Sequence, residues 1–456
     1  MSASKHFEKR FRAKNLRQVY VEKIRESQAI GIDRMRPASL HRMLNQELAV
    51  ITRKVVDGTY KFSAYKQKLI SKGANQSPRV LSIPTARDRL VLRALCQVLQ
   101  DVFPDAIPGI PQTKIEALKV ALDSGKFHEF VRLDLRDFYG SIAHTELFKA
   151  LRQRVRKKAL LNLIKNAIET PTIPDGSSSI GVPRNENGVP QGLSISNQLA
   201  EISIRQIDNL FASRTDVGYF RYVDDILILT TTGKAGAVAK EAIAHLSSKK
   251  FNPHPPTTPN SKSRLGRLND PFSFLGYQIH NTKLSVRRDS IHKLESALAA
   301  ILTNYRHKIR HASTPLQRDN AIQVCKWRLN LKITGCIFEG TRRGWVFYFS
   351  QINDTTCLRS LQHTVNSLLE RFGATGTIHP KSFLKTFYEG KRQDTASHKY
   401  IPNFDTMSTD KKRDVLALFL GSHKVIGLSD SRIDELFKMR IRHAVKELEA
   451  DLAGLS

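Results

Sequence analysis

Two adjacent carboxylates near the middle of the chain constrain its fold more than any other feature. Tyr222-Val223-Asp224-Asp225 follows Phe220-Arg221 and precedes a run of apolar residues at 226–229, two of them β-branched. This pattern predicts a strand, a tight turn and a second strand, with both carboxylates at the tip. Crowded carboxylates repel each other unless a cation binds them, so the hairpin predicts bound Mg²⁺. Taken alone, an Asp-Asp pair fits a solvated turn equally well.

A second acidic segment strengthens the metal interpretation. Residues 130–135 alternate as a strand does, and Asp134 near the end of this strand is placed to supply a third metal ligand. Asp137 is a candidate cap for the following helix, and Tyr139 is placed to pack against a bound sugar and exclude a 2′-hydroxyl. Three such carboxylates suit nucleotidyl transfer, in which two metals about 3.5–4 Å apart activate a 3′-hydroxyl and stabilise the leaving pyrophosphate. A plain strand end with a capping Asp is the alternative.

Two further segments suggest contacts to a nucleotide. Gly188–Ser196 opens a predicted helix, and its glycines, Gly192 included, would let the backbone approach a ligand closely. Gln191 is a candidate contact to nucleotide and template. Upstream, Lys72 and Arg79 lie on a predicted hairpin, where cations could clamp a triphosphate. The alternatives are a capped helix start and ordinary surface charge.

The charge of the chain points to a polyanionic partner. The 456 residues include 73 Lys and Arg against 42 Asp and Glu, a net charge of +31. Nucleic acid is the first candidate, because neutralised phosphates release counterions; a generally basic surface is the alternative. Basic residues are dense at 287–343, and we expect Arg306, Lys308 and Arg310 to line a nucleic-acid groove unless they form only a solvated helix face.

Other features favour an intracellular protein without a membrane anchor. The four cysteines are widely spaced and include no CxxC pair, which argues against disulfides and a structural zinc site and fits a reducing cytosol. No apolar run of 18 residues and no signal peptide are apparent. We therefore expect a cytoplasmic location.

Strand patterns cluster in the centre of the chain between helical segments, which predicts an α+β fold. Residues 36–55, 86–104, 144–168 and 192–212 have helical periodicity, and strands are predicted within 59–84, at 217–230 and near 272–279. Helices dominate from 286 onward. The aromatic run at 345–349 could stack on bases, but it is more typical of a core.

In this order, the segments resemble the motifs of a reverse transcriptase over roughly residues 60–300. The basic hairpin with Ile83–Arg89 is similar to the first fingers motifs, and Asp134–Ile142 to motif A. Gly188–Ser196 is similar to motif B and Tyr222–Asp225 to motif C. Lys262 is the candidate motif D lysine, with Lys249 and Lys250 as competitors in an unusual segment, and Phe274–Tyr277 resembles the primer-grip turn.

The resemblance implies a right-hand polymerase of fingers, palm and thumb with a helical C-terminal extension. The expected divisions are a helical segment at 1–60, fingers and palm at 61–285, a thumb-like region at 286–375 and the extension at 376–456. It implies that Asp134, Asp224 and Asp225 hold two Mg²⁺ ions, for which Mn²⁺ could substitute. Under the same resemblance Tyr139 is the steric gate, and the nucleotide contacts are Lys72, Arg79, Gln191, Gly192 and Lys262.

The sequence Gly192–Ser196, directly after Gln191, resembles that of bacterial defence enzymes of the abortive-infection and unknown-group type. That likeness implies a structured non-coding RNA template, dNTP substrates, a DNA product and a role against phage. Residues 345–353 resemble one member of defence systems that pair two reverse transcriptases, so a second reverse transcriptase or a homo-oligomer is a candidate partner. A retron-type enzyme and a non-catalytic RNA-binding scaffold are the alternatives.

Overall fold

The structure is a computed structural model that describes residues 1–71, 73, 77–258, 261–392 and 399–452. Lys72, predicted to bind phosphate, lies outside the described residues. The strands are β1 Tyr65–Ile70, β2 Arg79–Ile83, β3 Glu129–Asp134, β4 Thr172–Ile173, β5 Val217–Tyr222, β6 Asp225–Thr230, β7 Arg264–Arg267, β8 Phe272–Phe274, β9 Tyr277–His280, β10 Lys283–Val286, β11 Cys336–Phe338 and β12 Thr341–Arg343.

Helices account for most of the remaining regular structure. The α-helices are α1 Ala3–Arg10, α2 Ala13–Val19, α3 Leu44–Val56, α4 Ala86–Val102, α5 Pro111–Asp123, α6 His144–Arg152, α7 Lys158–Glu169, α8 Ser196–Ala212, α9 Ala235–Ser248, α10 Arg288–Arg310, α11 Pro315–Thr334, α12 Trp345–Tyr348, α13 Thr356–Arg371, α14 Phe383–Gly390, α15 Thr409–Leu420, α16 Ser422–Val425 and α17 Asp430–Glu449. A π-helical turn covers Tyr20–Ile24, and 3₁₀ turns cover Pro37–Met43, Pro104–Ala106 and Ala450–Leu452.

This mixture of helices and sheets confirms the predicted mixed class. The helix predicted at 144–168 is two helices, α6 and α7, separated by a turn. No helix in the described ranges is both long and apolar enough to cross a membrane.

The chain divides into two compact units. Unit 1 comprises Met1–Gly109 and Glu129–Gly266, and unit 2 comprises Ile110–His128 and Arg267–Ser456. The four divisions proposed from sequence at 60/61, 285/286 and 375/376 stay predictions.

Unit 1 contains a four-stranded sheet in the order β5-β6-β3-β7. Strand β6 is buried along its whole length and pairs antiparallel with both neighbours. Its residues Ile226–Leu229 are at most 1% exposed, as expected for a central strand covered on both faces. The hairpin β5–β6 and strand β3 confirm the strands predicted at 217–230 and 130–135.

In the core of unit 1, the sheet packs with the N-terminal helices and with helices that lie later in the chain. Phe7 and Phe11 of the N-terminal helices are buried in the same cluster as α4, α8 and β6. At the start of α4, buried Asp88 accepts a hydrogen bond from the Tyr60 hydroxyl at 2.8 Å and another from Thr85. The N-terminal helices therefore share the core of the sheet in this unit.

A separate hairpin in unit 1 carries one predicted phosphate contact. Strands β1 and β2 pair antiparallel, from Lys66 opposite Ile83 to Ile70 opposite Arg79. The hairpin is tied to the loop before α8, because the Ser82 amide donates to the Gln191 carbonyl at 2.7 Å.

Unit 2 has a small antiparallel sheet, β10-β9-β8, and a set of helices. Trp345 and Phe349 are at most 1% exposed, so the aromatic run at 345–349 belongs to the core, as the core alternative predicted. Trp327 packs edge-on against Phe419 at 5.1 Å between ring centroids. The aromatic side chains of this region therefore serve packing within unit 2.

Candidate active site

The Asp-Asp pair lies at the tip of the β5–β6 hairpin, as the sequence predicts. Tyr222 pairs with Asp225, so Val223 and Asp224 form a two-residue turn. Val223 has a φ of 56°, in the left-handed region that a β-branched residue rarely adopts. Such local strain persists only where surrounding structure enforces it.

Arg221 provides that enforcement from inside β5. Its side chain is 4% exposed and donates to the Val223 carbonyl at 2.8 Å, directly at the turn. It also donates to Asp208 at 2.7 Å and to Glu201 at 2.5 Å, two acids of α8. A buried guanidinium thus links the strained turn to a helix behind it.

The register of the sheet brings the three predicted metal carboxylates to one end. Asp134, the last residue of β3, pairs directly with Asp225, the first residue of β6. Asp224 precedes Asp225 in the turn. Residues paired across antiparallel strands project to the same face, so the Asp134 and Asp225 side chains are neighbours.

The pKa values of the two hairpin aspartates reflect this crowding. Burial raises the pKa of Asp224 above its ordinary value, and the charge of Asp134 raises it further, while Arg79 and Lys262 oppose the rise. Burial also raises the pKa of Asp225, against the opposing effect of Arg132. A site that desolvates several carboxylates together favours a bound cation.

Two of these carboxylates already have basic neighbours. Arg132 Nε donates to Asp225 Oδ1 at 3.1 Å, and the Asp225 side chain is only 8% exposed. His254 Nε2 lies 3.3 Å from Asp134 Oδ2. Within the described ranges, no three His, Cys, Asp or Glu side chains form a preassembled metal cluster.

The donor chemistry nevertheless fits Mg²⁺, which binds through carboxylate oxygens. Asp225 is paired with Arg132, and metal ligation by Asp134, Asp224 and Asp225 stays a prediction. Sequence reasoning missed Arg132 and Arg221, although a basic residue between apolar or aromatic neighbours in each strand was a usable signal.

Tyr139 lies beside the carboxylates, as the gate prediction requires. Its hydroxyl donates to Asn197 Oδ1 at 2.8 Å, which fixes the ring against α8. Burial raises the pKa of Tyr139 to about 12, and the nearby charge of Asp224 contributes. The hydroxyl therefore stays protonated at neutral pH.

The glycines before α8 approach protein backbone, a packing role that the sequence did not indicate. A Cβ on Gly192, whose φ is 104°, would lie 2.9 Å from the Ser82 carbonyl oxygen of β2. One on Gly188 would lie 2.9 Å from Gly140. Close packing of the loop against the β1–β2 hairpin and the Gly140 loop explains both residues, and a contact of Gln191 or Gly192 to nucleotide stays a prediction.

Asp137 does not cap a helix, contrary to the sequence expectation. It has a φ of 43° in a turn, and α6 begins seven positions later at His144 without a side-chain cap. The Asp137 carbonyl instead accepts from the Ser141 amide at 2.8 Å.

Among the candidate cations, Arg79 and Lys262 lie near the acidic end of the sheet. Both exert an electrostatic effect on Asp224. The competitor Lys249 pairs with Glu146 at 3.3 Å, which favours Lys262 as the motif D lysine.

The basic residues predicted to bind nucleic acid lie in unit 2. Arg306, Lys308 and Arg310 are exposed on the last turns of α10. The Arg306 guanidinium lies 4.9 Å from the centroid of the Phe372 ring. Nucleic-acid contact by these residues stays a prediction.

Residues 66–279 match the family described as reverse transcriptase (RNA-dependent DNA polymerase). The match contains the hairpin β1–β2 except for Tyr65, all three aspartates, Tyr139, Gln191 and Lys262. The chain therefore contains a reverse transcriptase domain, whose chemistry is RNA-directed DNA synthesis by nucleotidyl transfer.

Two bacterial proteins are similar to the chain. Protein YkfC of Escherichia coli K12 is 24% identical over 297 residues, which cover 55% of this chain and 75% of that protein. The group II intron-encoded protein LtrA of Lactococcus lactis is 25% identical over 170 residues, covering 36% of this chain. The chain matches only 28% of the length of LtrA.

Solved telomerase structures have a distant likeness. One from Candida albicans, in complex with a telomeric RNA fragment, has a TM-score of 0.42 at 14% identity and covers 90% of this chain and 67% of its own. Apo telomerase from Candida tropicalis has a TM-score of 0.41 at 12% identity, covering 91% of this chain and 72% of its own. A likeness at this level supports no conclusion about function.

Proposed function

We propose that this protein copies a structured non-coding RNA into DNA, with Asp134, Asp224 and Asp225 at the reacting centre. The observation that carries the proposal is the pairing of Asp134 with Asp225 at the end of the sheet where Asp224 forms the strained turn. Bound Mg²⁺ ions would activate the 3′-hydroxyl and neutralise the departing pyrophosphate. Mn²⁺ is the expected substitute ion.

The residues around this centre have distinct proposed roles. Asp134 and Asp224 hold the metals. Asp225 is the third carboxylate ligand, and Arg132 pairs with it. Arg79 and Lys262 supply positive charge for phosphate, since both act electrostatically on Asp224. Tyr139 contacts the sugar through a ring that Asn197 holds in place. Lys72, Gln191 and Gly192 complete the proposed nucleotide contacts.

The role in antiphage defence rests on narrower support. The net charge of +31 favours binding of a polyanion such as RNA. The segment Gly192–Ser196 resembles the corresponding sequence of defence reverse transcriptases. A second reverse transcriptase or another copy of the chain is the proposed protein partner, and the cytoplasm the proposed location. A retron-type enzyme would share the chemistry but make a short DNA on its own RNA.

Primer extension tests the chemistry. The purified protein should extend a DNA primer on an RNA template with dNTPs and Mg²⁺. Asp224→Asn should abolish extension and leave RNA binding within about twofold, because the change removes a metal ligand and preserves size. Asp57→Asn, an exposed acid after α3, is the matched control and should extend normally. Equal loss of RNA binding in Asp224→Asn would contradict the metal role.

Sequencing of nucleic acid bound in the host tests the template and biological role. One enriched small RNA with complementary DNA that is absent from Asp224→Asn cells would identify the template. Phage plating on both strains should then show protection that requires Asp224. Bound RNA without dependent DNA, and protection unaffected by Asp224→Asn, would favour the non-catalytic scaffold.

A further inference from the structure

The segment Asn252-Pro253-His254-Pro255-Pro256 is held extended by its own sequence. A residue before proline is disfavoured in the α region, so Asn252 and His254 both favour extended backbone. The prolines also fix their own φ angles. The segment therefore presents His254 from a stiff, strand-like stretch.

Backbone hydrogen bonds place this stretch beside the end of β3. Pro253 forms an antiparallel bridge with Leu135. The Arg136 amide donates to the Asn252 carbonyl at 2.8 Å, and the His254 amide donates to the Asp134 carbonyl at 2.9 Å. His254 is consequently fixed, through main-chain contacts, next to Asp134. Pro253 suits this place, since proline is tolerated on edge strands.

The side chains form a line of polar contacts that runs from Arg136 through His254 to Asp134. Arg136 Nε donates to His254 Nδ1 at 2.9 Å. Because Nδ1 accepts this bond, the ring proton is on Nε2. Nε2 faces Asp134 Oδ2 at 3.3 Å, and the two side chains are 21% and 23% exposed. The Nε2 edge of the imidazole thus lies within ion-pair distance of one carboxylate oxygen of Asp134.

We propose that His254 is a positioning residue that holds the Asp134 carboxylate in the orientation used for metal ligation, with Arg136 fixing its tautomer. The proposal rests on the proposed metal role of Asp134. Groups that orient a ligating carboxylate commonly affect metal affinity by about 10- to 100-fold. His254 requires no contact with substrate for this role.

Two substitutions separate the polar contact with Asp134 from the shape of the ring. His254→Phe keeps a planar ring and removes the donor, whereas His254→Gln keeps a donor at a similar reach. Mn²⁺ binding to the protein without nucleic acid is measured by the loss of the free-ion electron paramagnetic resonance signal. His254→Phe should weaken Mn²⁺ binding about tenfold, and His254→Gln should restore it to within about threefold.

Mg²⁺ titration of DNA synthesis gives the second readout. His254→Phe should raise the Mg²⁺ concentration for half-maximal synthesis by a similar factor while the rate at saturating Mg²⁺ changes little. Arg136→Met should shift Mn²⁺ binding in the same direction, and adding it to His254→Phe should cause no further loss, because both act through one contact. His245→Phe is the control, since its ring packs against Phe211.

Defined outcomes would overturn the proposal. Wild-type Mn²⁺ binding in a folded His254→Phe protein would remove His254 from the positioning role. Tighter binding would show that His254 competes with the metal for Asp134. If the wild type binds Mn²⁺ through Asp224 but makes no DNA, the proposed function fails while the role of His254 is still measurable.

Discussion

Tyr139 combines a half-buried ring with a hydroxyl that is already engaged by protein. The bond to Asn197 Oδ1 at 2.8 Å leaves the ring face and edge as the parts available to a sugar. A gate of this kind acts by occupying the volume that a 2′-hydroxyl needs. The hydroxyl of Tyr139 therefore serves to orient the ring.

Tyr139→Ala should reduce discrimination against ribonucleotides by about tenfold or more, because a pocket that loses this bulk no longer rejects the extra hydroxyl. Tyr139→Phe is the matched control and should keep most of the discrimination, since the ring remains. Incorporation of dNTP and rNTP by single-nucleotide extension provides the measurement. Unchanged discrimination in Tyr139→Ala would remove the residue from the gate.

At the scale of elements, the catalytic hairpin depends on support from α8. Arg221 in β5 is bound by Asp208 and Glu201 and also holds the carbonyl of strained Val223. The network links β5 to α8 through charged side chains that are mostly buried. Removing one partner of such a network leaves the others unpaired.

Arg221→Met should lower the free energy of unfolding by about 3 kcal/mol, since two acids lose their counterion and the turn loses its brace. Urea unfolding followed by circular dichroism measures this. Arg214→Met is a control, because Arg214 pairs with Asp216 and Glu241 at the end of α8 without contacting the turn. A loss no larger than that of the control would contradict the bracing role.

A second network joins the 3₁₀ turn at Pro104–Ala106 to α8 and to the loop between α6 and α7. Arg154 and Arg205 bind Asp105 at 2.5 and 2.7 Å and, with burial opposing, lower the pKa of its carboxyl from 3.8 to about 2. A carboxyl with a lowered folded pKa stabilises the fold above its unfolded pKa, and this contribution is lost as the pH falls. The relevant window is about pH 4 to pH 2.

Asp105→Asn should therefore cost about 1 kcal/mol at pH 7, a value reduced for solvent screening because the side chain is 43% exposed. The difference from wild type should shrink as the pH falls below 4 and vanish below pH 2. Urea unfolding at several pH values measures it. A difference that does not change with pH would show that lost hydrogen bonds, and not charge, account for the cost.

The strands and helices of the site were predictable because their signals are local. Alternating residues gave β3, and the Asp-Asp turn gave the β5–β6 hairpin. The side-chain partners were not predictable, because Arg132 and Asp225 are 93 residues apart and Arg136 and His254 are 118 apart. The packing of the loop glycines could not be predicted for a related reason: only the fold brings Gly192 against Ser82 of β2.

At the scale of the whole molecule, the excess of positive charge is the dominant property. A net charge of +31 favours association with any polyanion and makes that association depend on salt. The clustered cations of α10 differ from this background, since Arg306, Lys308 and Arg310 are exposed within a single helical end. Direct phosphate contacts by these three residues and a general attraction by net charge predict different dependences of RNA affinity on salt.

Changing Arg306, Lys308 and Arg310 together to Gln should weaken RNA binding. It should also reduce the slope of log affinity against log salt by about 2, because binding then neutralises fewer phosphates and releases fewer counterions. The control removes an equal charge through Lys424, Lys438 and Lys446, all exposed in α16 and α17. Fluorescence anisotropy with a labelled RNA at several salt concentrations measures both slopes. Equal slopes for the two triple variants would mean that α10 contributes only net charge, whereas a smaller slope for the α10 variant alone would identify a contact surface.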